Sequence, residues 1–182
     1  MNRKILIVPI LLTVILFSAC ISQYEQSHTL RYDGSYTDFR SDLNKARLVP
    51  VYPSESVLKE LILTPDLQQI NITFIDNRTE NGYYAAAAFE IGNKLTRIKI
   101  ANNLDYTINA SIITSVEDMI PIDGMVYLFL SGPSQSNETS VLVDNSIVFL
   151  SCKEFGDPSR KYSDLDLSVG KMLITIMEDK AG

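Results

Sequence analysis

The chain has 182 residues, of which 46% are hydrophobic, and its formal net charge is −6. This acidic balance, without a stripe of Lys and Arg, argues against a nucleic-acid partner, because phosphates must be neutralised by cations. Two cysteines and one histidine, His28, leave no disulfide framework, no Ser/His or Cys/His catalytic set in the predicted domain and no histidine-based zinc site there.

The first twenty residues have the three parts of a secretory signal. A basic start, "MNRK", is followed by the uncharged run "ILIVPILLTVILFSA" and then by Cys20. The closing positions Phe17, Ser18, Ala19 and Cys20 resemble the lipobox of prokaryotic lipoproteins, with Phe17 where that family usually has leucine. The resemblance implies that residues 1–19 are removed and that Cys20 is lipidated.

An uncleaved membrane helix is the alternative for the same segment. The run from Ile5 to Ile21 is about the shortest that spans a bilayer, and Arg3 and Lys4 favour a cytoplasmic start. The small residues before the cysteine favour cleavage, and a buried core helix is the third interpretation. Both membrane interpretations predict an extracytoplasmic domain anchored to the cell membrane through a lipid or a helix.

The remainder of the chain predicts one domain behind a tether. The polar segment "ISQYEQSHTLRYDGSY" is typical of a linker, so residues 20–36 are interpreted as the lipidated cysteine and its tether, with His28 in solvent. Residues 37–179 form the predicted α/β domain. About 140 residues are enough to bury a hydrophobic core.

The first half of this domain alternates predicted helices and strands. Thr37 is predicted to cap a short helix in "TDFRSDLNKA", and Ser54 is predicted to cap a second helix, "ESVLKELIL". The strands "LVPVYP" and "QINITFI" flank that second helix, and this β-α-β order predicts a parallel pair.

The longest predicted helix is "YYAAAAFEIGNKLTRI". The tyrosine pair at its start, Tyr83 and Tyr84, is expected to pack or to be exposed, with a cofactor role as the alternative. "YTINASIIT" is open between strand and loop, and "SVEDMIPIDG" is typical of a loop. The buried stripe of the helix is expected to contain five residues: Ala85, Ala88, Phe89, Gly92 and Leu95.

The second half predicts more strands and a closing helix. "MVYLFLSGP" is typical of a central strand, "TSVLV" and "SIVFLSC" of a hairpin with Cys152 as a buried structural thiol, and Ser163 of a cap before "DLDLSVGKMLITIME". The predicted fold is a single α/β domain with a mixed, mostly parallel sheet of about five or six strands, a C-terminal hairpin and flanking helices.

The loop "SGPSQSNE" is a candidate ligand loop. It follows a predicted buried strand, and small residues let backbone N–H groups approach an anion. The favoured positions, at the carboxyl end of the strand, are Ser131, Gly132 and Ser134. Pro133 lacks an N–H and neither glycine-rich nucleotide motif is present, so an ordinary turn is the alternative.

Carboxylates suggest a further class of site. Close groups of this kind suit hard cations, but none has the spacing of a calcium loop, and solvated or helix-end positions explain them as well. A glycosidase-type acid pair stays open because its members need not be close in sequence. No metal ligand, cofactor or catalytic residue is therefore assigned. The groups are Glu117, Asp118 and Asp123; Asp164 and Asp166; Glu178 and Asp179.

Four N-x-[ST] sequons occur in the chain, at Asn71, Asn77, Asn109 and Asn137. Asn77 and Asn137 lie in predicted loops, where a glycan has room. They are candidate N-glycosylation sites if the host, for example an archaeon, glycosylates its secreted proteins.

Several stretches, among them "FRSDLNKARLVPVYP", "AFEIGNKLTRIKI", "LFLSGPSQSNETSVLVDNSIVFLSC" and "YSDLDLSVGKMLITIM", resemble small archaeal secreted or lipid-anchored proteins without assigned chemistry. They are more distantly similar to pieces of surface-layer domains, with Ser168 and Gly170 where alanine is usual. The resemblance implies a non-catalytic binding or structural role at the cell envelope, with an envelope protein or a glycan as partner. An envelope hydrolase using carboxylates or a metal ion is the alternative.

Overall fold

The computed structural model of the protein describes residues 27–156 and 162–178, so the predicted signal and Cys20 lie outside the described residues. The elements in chain order are β1 (Thr29–Tyr32), β2 (Ser35–Asp38), α1 (Leu43–Ala46), β3 (Val51–Tyr52), α2 (Glu55–Leu63), β4 (Gln69–Ile75), α3 (Asn81–Ala101), β5 (Thr107–Ile113), a 3₁₀ turn (Val116–Asp118), β6 (Met125–Ser131), β7 (Ser140–Asp144), β8 (Ile147–Ser151) and α4 (Asp164–Met177).

Six strands form one sheet in the order β3-β7-β8-β6-β4-β5. The neighbours β8, β6, β4 and β5 run parallel to one another, whereas β7 pairs antiparallel with β8 and parallel with β3. The predicted mixed, mostly parallel sheet, its C-terminal hairpin and its flanking helices are confirmed. The segment "YTINASIIT", which the sequence leaves open between strand and loop, contains the edge strand β5.

The predicted parallel pair of β3 and β4 is wrong. β3 lies at the far edge beside β7 and runs opposite to β4. Both sides of β4 are occupied by longer strands, β5 and β6, which offer more ladder hydrogen bonds and more apolar area than the two residues of β3. The prolines on both sides of β3 also lack ladder donors, which suits an edge position.

The hydrophobic core lies between one face of the sheet and the four helices of the described residues. Alternate strand residues such as Ile72, Leu128 and Val148 are in register and share this face. They belong to the same core as α4, which is buried along almost its whole length and contacts β7, β8 and the other three helices. Ser163 caps α4 as predicted, accepting the Asp166 N–H at 3.2 Å in a capping box.

The opposite face of the sheet has no helix over it within residues 27–156 and 162–178. Its central row, in register across the strands, is Thr73, Phe129, Phe149 and Leu142. The loop between β5 and β6 covers one end of that row, where the Thr73 hydroxyl contacts the sulfur of Met119 at 3.5 Å. We call this side the uncovered face.

The N-terminal part of the domain differs from the prediction. Residues 29–36, predicted as tether, belong to the β1–β2 hairpin, and Tyr32 is buried in the core. Thr37 lies in β2 and is not a helix cap; Asp42 caps the short α1 instead. His28, expected in solvent, is half-buried and its Nδ1 lies 2.8 Å from the Ser41 carbonyl.

The predicted buried stripe of α3 is wrong in its register. Phe89 is 75% exposed, whereas the buried apolar residues are Tyr84, Ala87, Ile91, Leu95 and Ile98. The reason is a buried ion pair on the flank that contacts Phe39 and Arg40, in which Lys94 lies 3.1 Å from Glu90. A hydropathy pattern treats Glu90 and Lys94 as solvent-exposed, so the sequence-based prediction places the buried stripe on the opposite flank of α3.

Candidate ligand site on the uncovered face

The carboxyl ends of β4 and β6 define the expected ligand position of this sheet. The chain leaves β4 through α3 toward β5, whereas it leaves β6 in the opposite direction, through residues 132–139, toward β7. Open α/β sheets bind ligands where neighbouring connections diverge in this way. The candidate loop residues Ser131, Gly132 and Ser134 lie at this point.

A carboxylate of the protein fills the crevice between these two strand ends. Glu80, which is only 6% exposed, accepts hydrogen bonds from the Tyr84 hydroxyl at 2.5 Å and from the Ser134 Oγ at 2.9 Å. The Ser134 N–H points at the same carboxylate at 3.3 Å, and the Gly132 N–H donates to the Tyr84 oxygen at 2.9 Å. The backbone N–H groups of Gly132 and Ser134, which the sequence suggests as anion donors, therefore already have partners within the protein.

Gly132 is required here by close approach. A Cβ at this position would lie 2.6 Å from the Tyr84 oxygen and 2.7 Å from a Glu80 oxygen. Burial, followed by the neighbouring Glu80, raises the pKa of Tyr84, so the hydroxyl stays protonated and donates. Tyr83 stacks on Phe155 at 4.0 Å beside it. The tyrosine pair packs, as the sequence predicts.

Beside this crevice the uncovered face carries a hollow of about 470 Å³ that opens to solvent. Its apolar floor comes from β6, β7 and β8, and the loop after β6 forms a polar wall. A second wall comes from the end of β4 and the 3₁₀ turn. The lining side chains used below are Phe129, Phe149, Gln135, Asn137 and Glu138.

Three serines form a row across the hollow. Ser131 on β6 is opposite Ser151 on β8, which is opposite Ser140 on β7. All three residues are buried and line the hollow, and none of their hydroxyls makes a hydrogen bond with another described residue. Because their oxygens reach the open hollow and make no bond within the described protein, these hydroxyls are available to whatever occupies the hollow.

The hollow carries little charge. Of its lining residues only Glu138 is ionisable, and its carboxylate lies 3.4 Å from the Tyr52 hydroxyl. No Lys, Arg or His lines the hollow within the described part of the chain. The site therefore disfavours anions and suits a ligand that exchanges hydrogen bonds without net charge.

Other predicted residues lie apart from one another. Asn77 bonds Thr79 and Ser134 through its side chain, and Asn137 is exposed at the rim of the hollow. Asp118 accepts bonds from Thr114 and Ser115, which lower its pKa, with the Thr114 hydroxyl as the main cause. No group of three or more His, Cys, Asp or Glu side chains in residues 27–156 and 162–178 is placed to hold a metal ion.

Cys152 is a buried core residue, which confirms the interpretation as a structural thiol. Burial, and secondarily the nearby carboxylate of Asp164, raises its pKa to about 12. Because the thiolate is the reactive form, this cysteine is poorly suited to nucleophilic catalysis.

A second hollow, of about 340 Å³, lies at the opposite end of the strands, between the end of α2 and the start of β6. Its lining includes Leu61, Pro121 and Ile122, and one buried hydroxyl, that of Ser146, is without a partner in the described residues. Its lining also contains the carboxylates of Asp66 and Asp123, and it has no row of neutral hydroxyls like that of the three serines, so it is a control site for the binding tests.

No protein-family model, curated protein sequence or solved structure matches this chain. Within the described ranges, none of the helices has both the length and the apolar character that crossing a bilayer demands.

Proposed function

We propose that the protein is a lipid-anchored, extracytoplasmic binding protein that takes an uncharged, hydroxyl-rich envelope ligand, a neutral glycan, in the hollow of the uncovered face. The serine row is the observation that carries this proposal, since three neighbouring strands each present an unpartnered hydroxyl to the same space. The anchoring half rests on the signal and on the lipobox resemblance at Cys20.

The remaining lining fits the same ligand class. A sugar presents hydroxyl groups on its edges and C–H groups on its faces. The serines, Gln135 and Asn137 can both donate to and accept from hydroxyls, and the half-buried Phe149 ring offers an apolar surface for the C–H groups. A volume of about 470 Å³ is in the range of small-ligand sites.

A non-catalytic role is supported over hydrolysis. The carboxylate nearest the crevice, Glu80, is held by Tyr84 and Ser134 rather than directed at the hollow. Glu138 stands alone among the lining residues as an ionisable group, whereas glycoside hydrolysis needs a pair of carboxylates.

The anchoring half is tested by metabolic labelling with an alkyne fatty acid in cells expressing the full chain or Cys20→Ala. The parent should carry the label and fractionate with membranes, and Cys20→Ala should lose the label. Labelling of both chains, or of neither, contradicts acylation at Cys20.

The binding half is tested by saturation-transfer NMR with maltose, cellobiose and N,N′-diacetylchitobiose, using the full chain in a zwitterionic detergent that has no sugar headgroup. At least one disaccharide should bind the parent. The triple variant Ser131→Ala, Ser140→Ala, Ser151→Ala should bind it at least about tenfold more weakly, because each lost hydrogen bond is worth about 0.5–1.5 kcal/mol.

The matched control is Ser146→Ala, which removes an unpartnered hydroxyl from the other hollow. It should bind like the parent. Equal weakening by the control and the triple variant, or no binding by any chain, contradicts the assignment of the hollow.

A further inference from the structure

The edge strand β5 presents an unpaired, uncharged ladder. Among residues 27–156 and 162–178, its seven residues, Thr107–Ile113, pair with β4 alone, and five of them are exposed. The strand contains no Lys, Glu, Asp or Pro, which are the residues that proteins commonly place on edges to prevent pairing. The strand is also free of a bulge, since its register with β4 is continuous.

The free backbone groups of β5 are fixed by its pairing with β4. The Thr107 N–H donates to the Gln68 carbonyl, on the β4 side. Because successive peptide groups alternate in direction along a strand, the N–H and C=O groups of Ile108, Ala110 and Ile112 point away from β4. Three residues therefore offer six groups to an additional strand.

We propose that a second copy of this chain supplies that strand, so that two β5 strands pair antiparallel about a two-fold axis at Ala110 and form a twelve-stranded sheet. The outward-pointing groups belong to even-numbered residues. They align only in a register that places even-numbered residues of one copy opposite even-numbered residues of the other. Centring on Ala110 uses all seven residues and places Ile108 opposite Ile112 and Asn109 opposite Ser111.

These pairs match in chemistry as well as in direction. Ile112 is 59% exposed although it shares a face with the buried Phe74, so it is an apolar residue beside the core without a cover. Pairing with Ile108 of the other copy buries both, and the Asn-Ser pair falls on the opposite, polar face. Each copy has a net charge of −6, but the strand itself has no charge to repel its mate.

The flank of α3 next to β5 continues the patch. Lys99, on this flank, donates to the Tyr106 carbonyl directly before β5, which identifies the flank that faces the edge strand. Helical spacing places Ala85, Ala88 and Gly92 on the same flank. In the proposed pair the two α3 helices are neighbours across the axis, and small residues allow helices to approach closely.

The first test is a register-specific disulfide in the full chain in detergent. Opposed residues of a hydrogen-bonded antiparallel pair have Cα atoms about 5.5 Å apart, within disulfide range. Ala110→Cys should therefore cross-link to a dimer under mild oxidation. Ser111→Cys is the control, because its two thiols would be offset by two residues, at a Cα distance of about 8 Å.

The second test measures molar mass by light scattering. The parent should have twice the mass of one chain, and Ile112→Lys should have the mass of one chain with an unchanged circular dichroism spectrum. Leu48→Lys is the control, since Leu48 is 82% exposed and lies after α1, away from β5; it should stay dimeric. A monomeric parent, equal cross-linking of the two cysteine variants, or a disulfide to a different protein would overturn the proposal.

Discussion

The two faces of one sheet differ in what covers them, although the same strands build both. On the covered face, residues such as Leu128 and Leu150 pack against helices and lose all contact with solvent. On the other face the next residues along, Phe129 and Ser151, keep only 2% and 8% of their surface exposed, and they line an open hollow. Side chains alternate between the two faces along each strand. One set therefore packs in the core and stabilises the domain, whereas the other set lines the hollow, where a ligand can contact it.

Buried polar groups differ less sharply between the two faces. Two buried lysines on the helix side are paired, with Lys94 lying 3.1 Å from Glu90 and Lys171 lying 2.6 Å from Glu55, but the buried hydroxyls of Ser41 and Thr175 on that side lack partners in the described residues. The three hollow serines have no such partners in the described residues. A buried charge that is paired within the protein has its partner already, whereas an unpartnered hydroxyl that lines a hollow is free to form a hydrogen bond with a ligand.

The largest expected difference between the faces is in the response to side-chain truncation. Leu150→Ala should lower the free energy of unfolding by about 3–4 kcal/mol, because it leaves a cavity under α4. Its neighbour on β8, Phe149, is half-buried over an open hollow, so Phe149→Ala should cost about 1–2 kcal/mol. Urea denaturation measures both. Equal losses would show that the uncovered face is also a core.

The crevice that joins the two faces should be sensitive to a single added methyl group. Gly132→Ala should lower the free energy of unfolding by about 1–3 kcal/mol, because its Cβ meets Tyr84 and Glu80. Gly82→Ala, in the first turn of α3 with open space around it, is the control and should stabilise by about 0.5–1 kcal/mol. A neutral Gly132→Ala would contradict the close approach seen there.

Alkaline pH should weaken the covered side through Cys152. The unfolded thiol ionises near its ordinary pKa of 9.0, whereas the folded thiol keeps its proton to about 12. The unfolded state therefore binds fewer protons in this window, and stability falls as pH rises from about 9 to 12, by up to about 1.4 kcal/mol per pH unit. Cys152→Ala should show a shallower fall in urea titrations at pH 7.5, 9.5 and 10.5. Identical slopes for the two chains would contradict the burial of a neutral thiol.

The smallest expected effect on stability belongs to the serine row. Removing the three hydroxyls together should change the free energy of unfolding by less than about 0.5 kcal/mol, because they make no hydrogen bonds in the described structure. Thermal denaturation of the triple alanine variant in the absence of sugars checks this. A loss above about 2 kcal/mol would mean that the serines are structural.

Much of the fold is predictable from local signals. The caps Ser54 and Ser163, the strands β4 and β6 and the β7–β8 hairpin follow from short-range patterns. The place of β3 does not, because competition among strands for the positions beside β4 depends on segments far along the chain. The predicted α3 register is wrong for a related reason, since the Glu90–Lys94 pair is buried against Phe39 and Arg40, which lie about 50 residues away in the sequence.

The candidate site is predictable only in its location. The carboxyl end of β6 follows from the sheet type, and Ser131 does line the hollow, but Gly132 donates to the Tyr84 oxygen and Ser134 to Glu80. Ser140 and Ser151 have no motif in the sequence. The signal that marks them is strand register. Serines end β6 and β8 and begin β7, and they form a row only when the order of these three strands is known.

The most direct test of ligand binding at the uncovered face is an amide NMR titration of the full chain with the disaccharide that gives the strongest saturation transfer. We predict shifts at Ser131, Ser140 and Ser151 and in residues 135–138, with the amides around Ser146 unchanged. Shifts centred on the hollow at Ser146, or no shifts at saturating sugar, would contradict the claim that the uncovered face is the binding face.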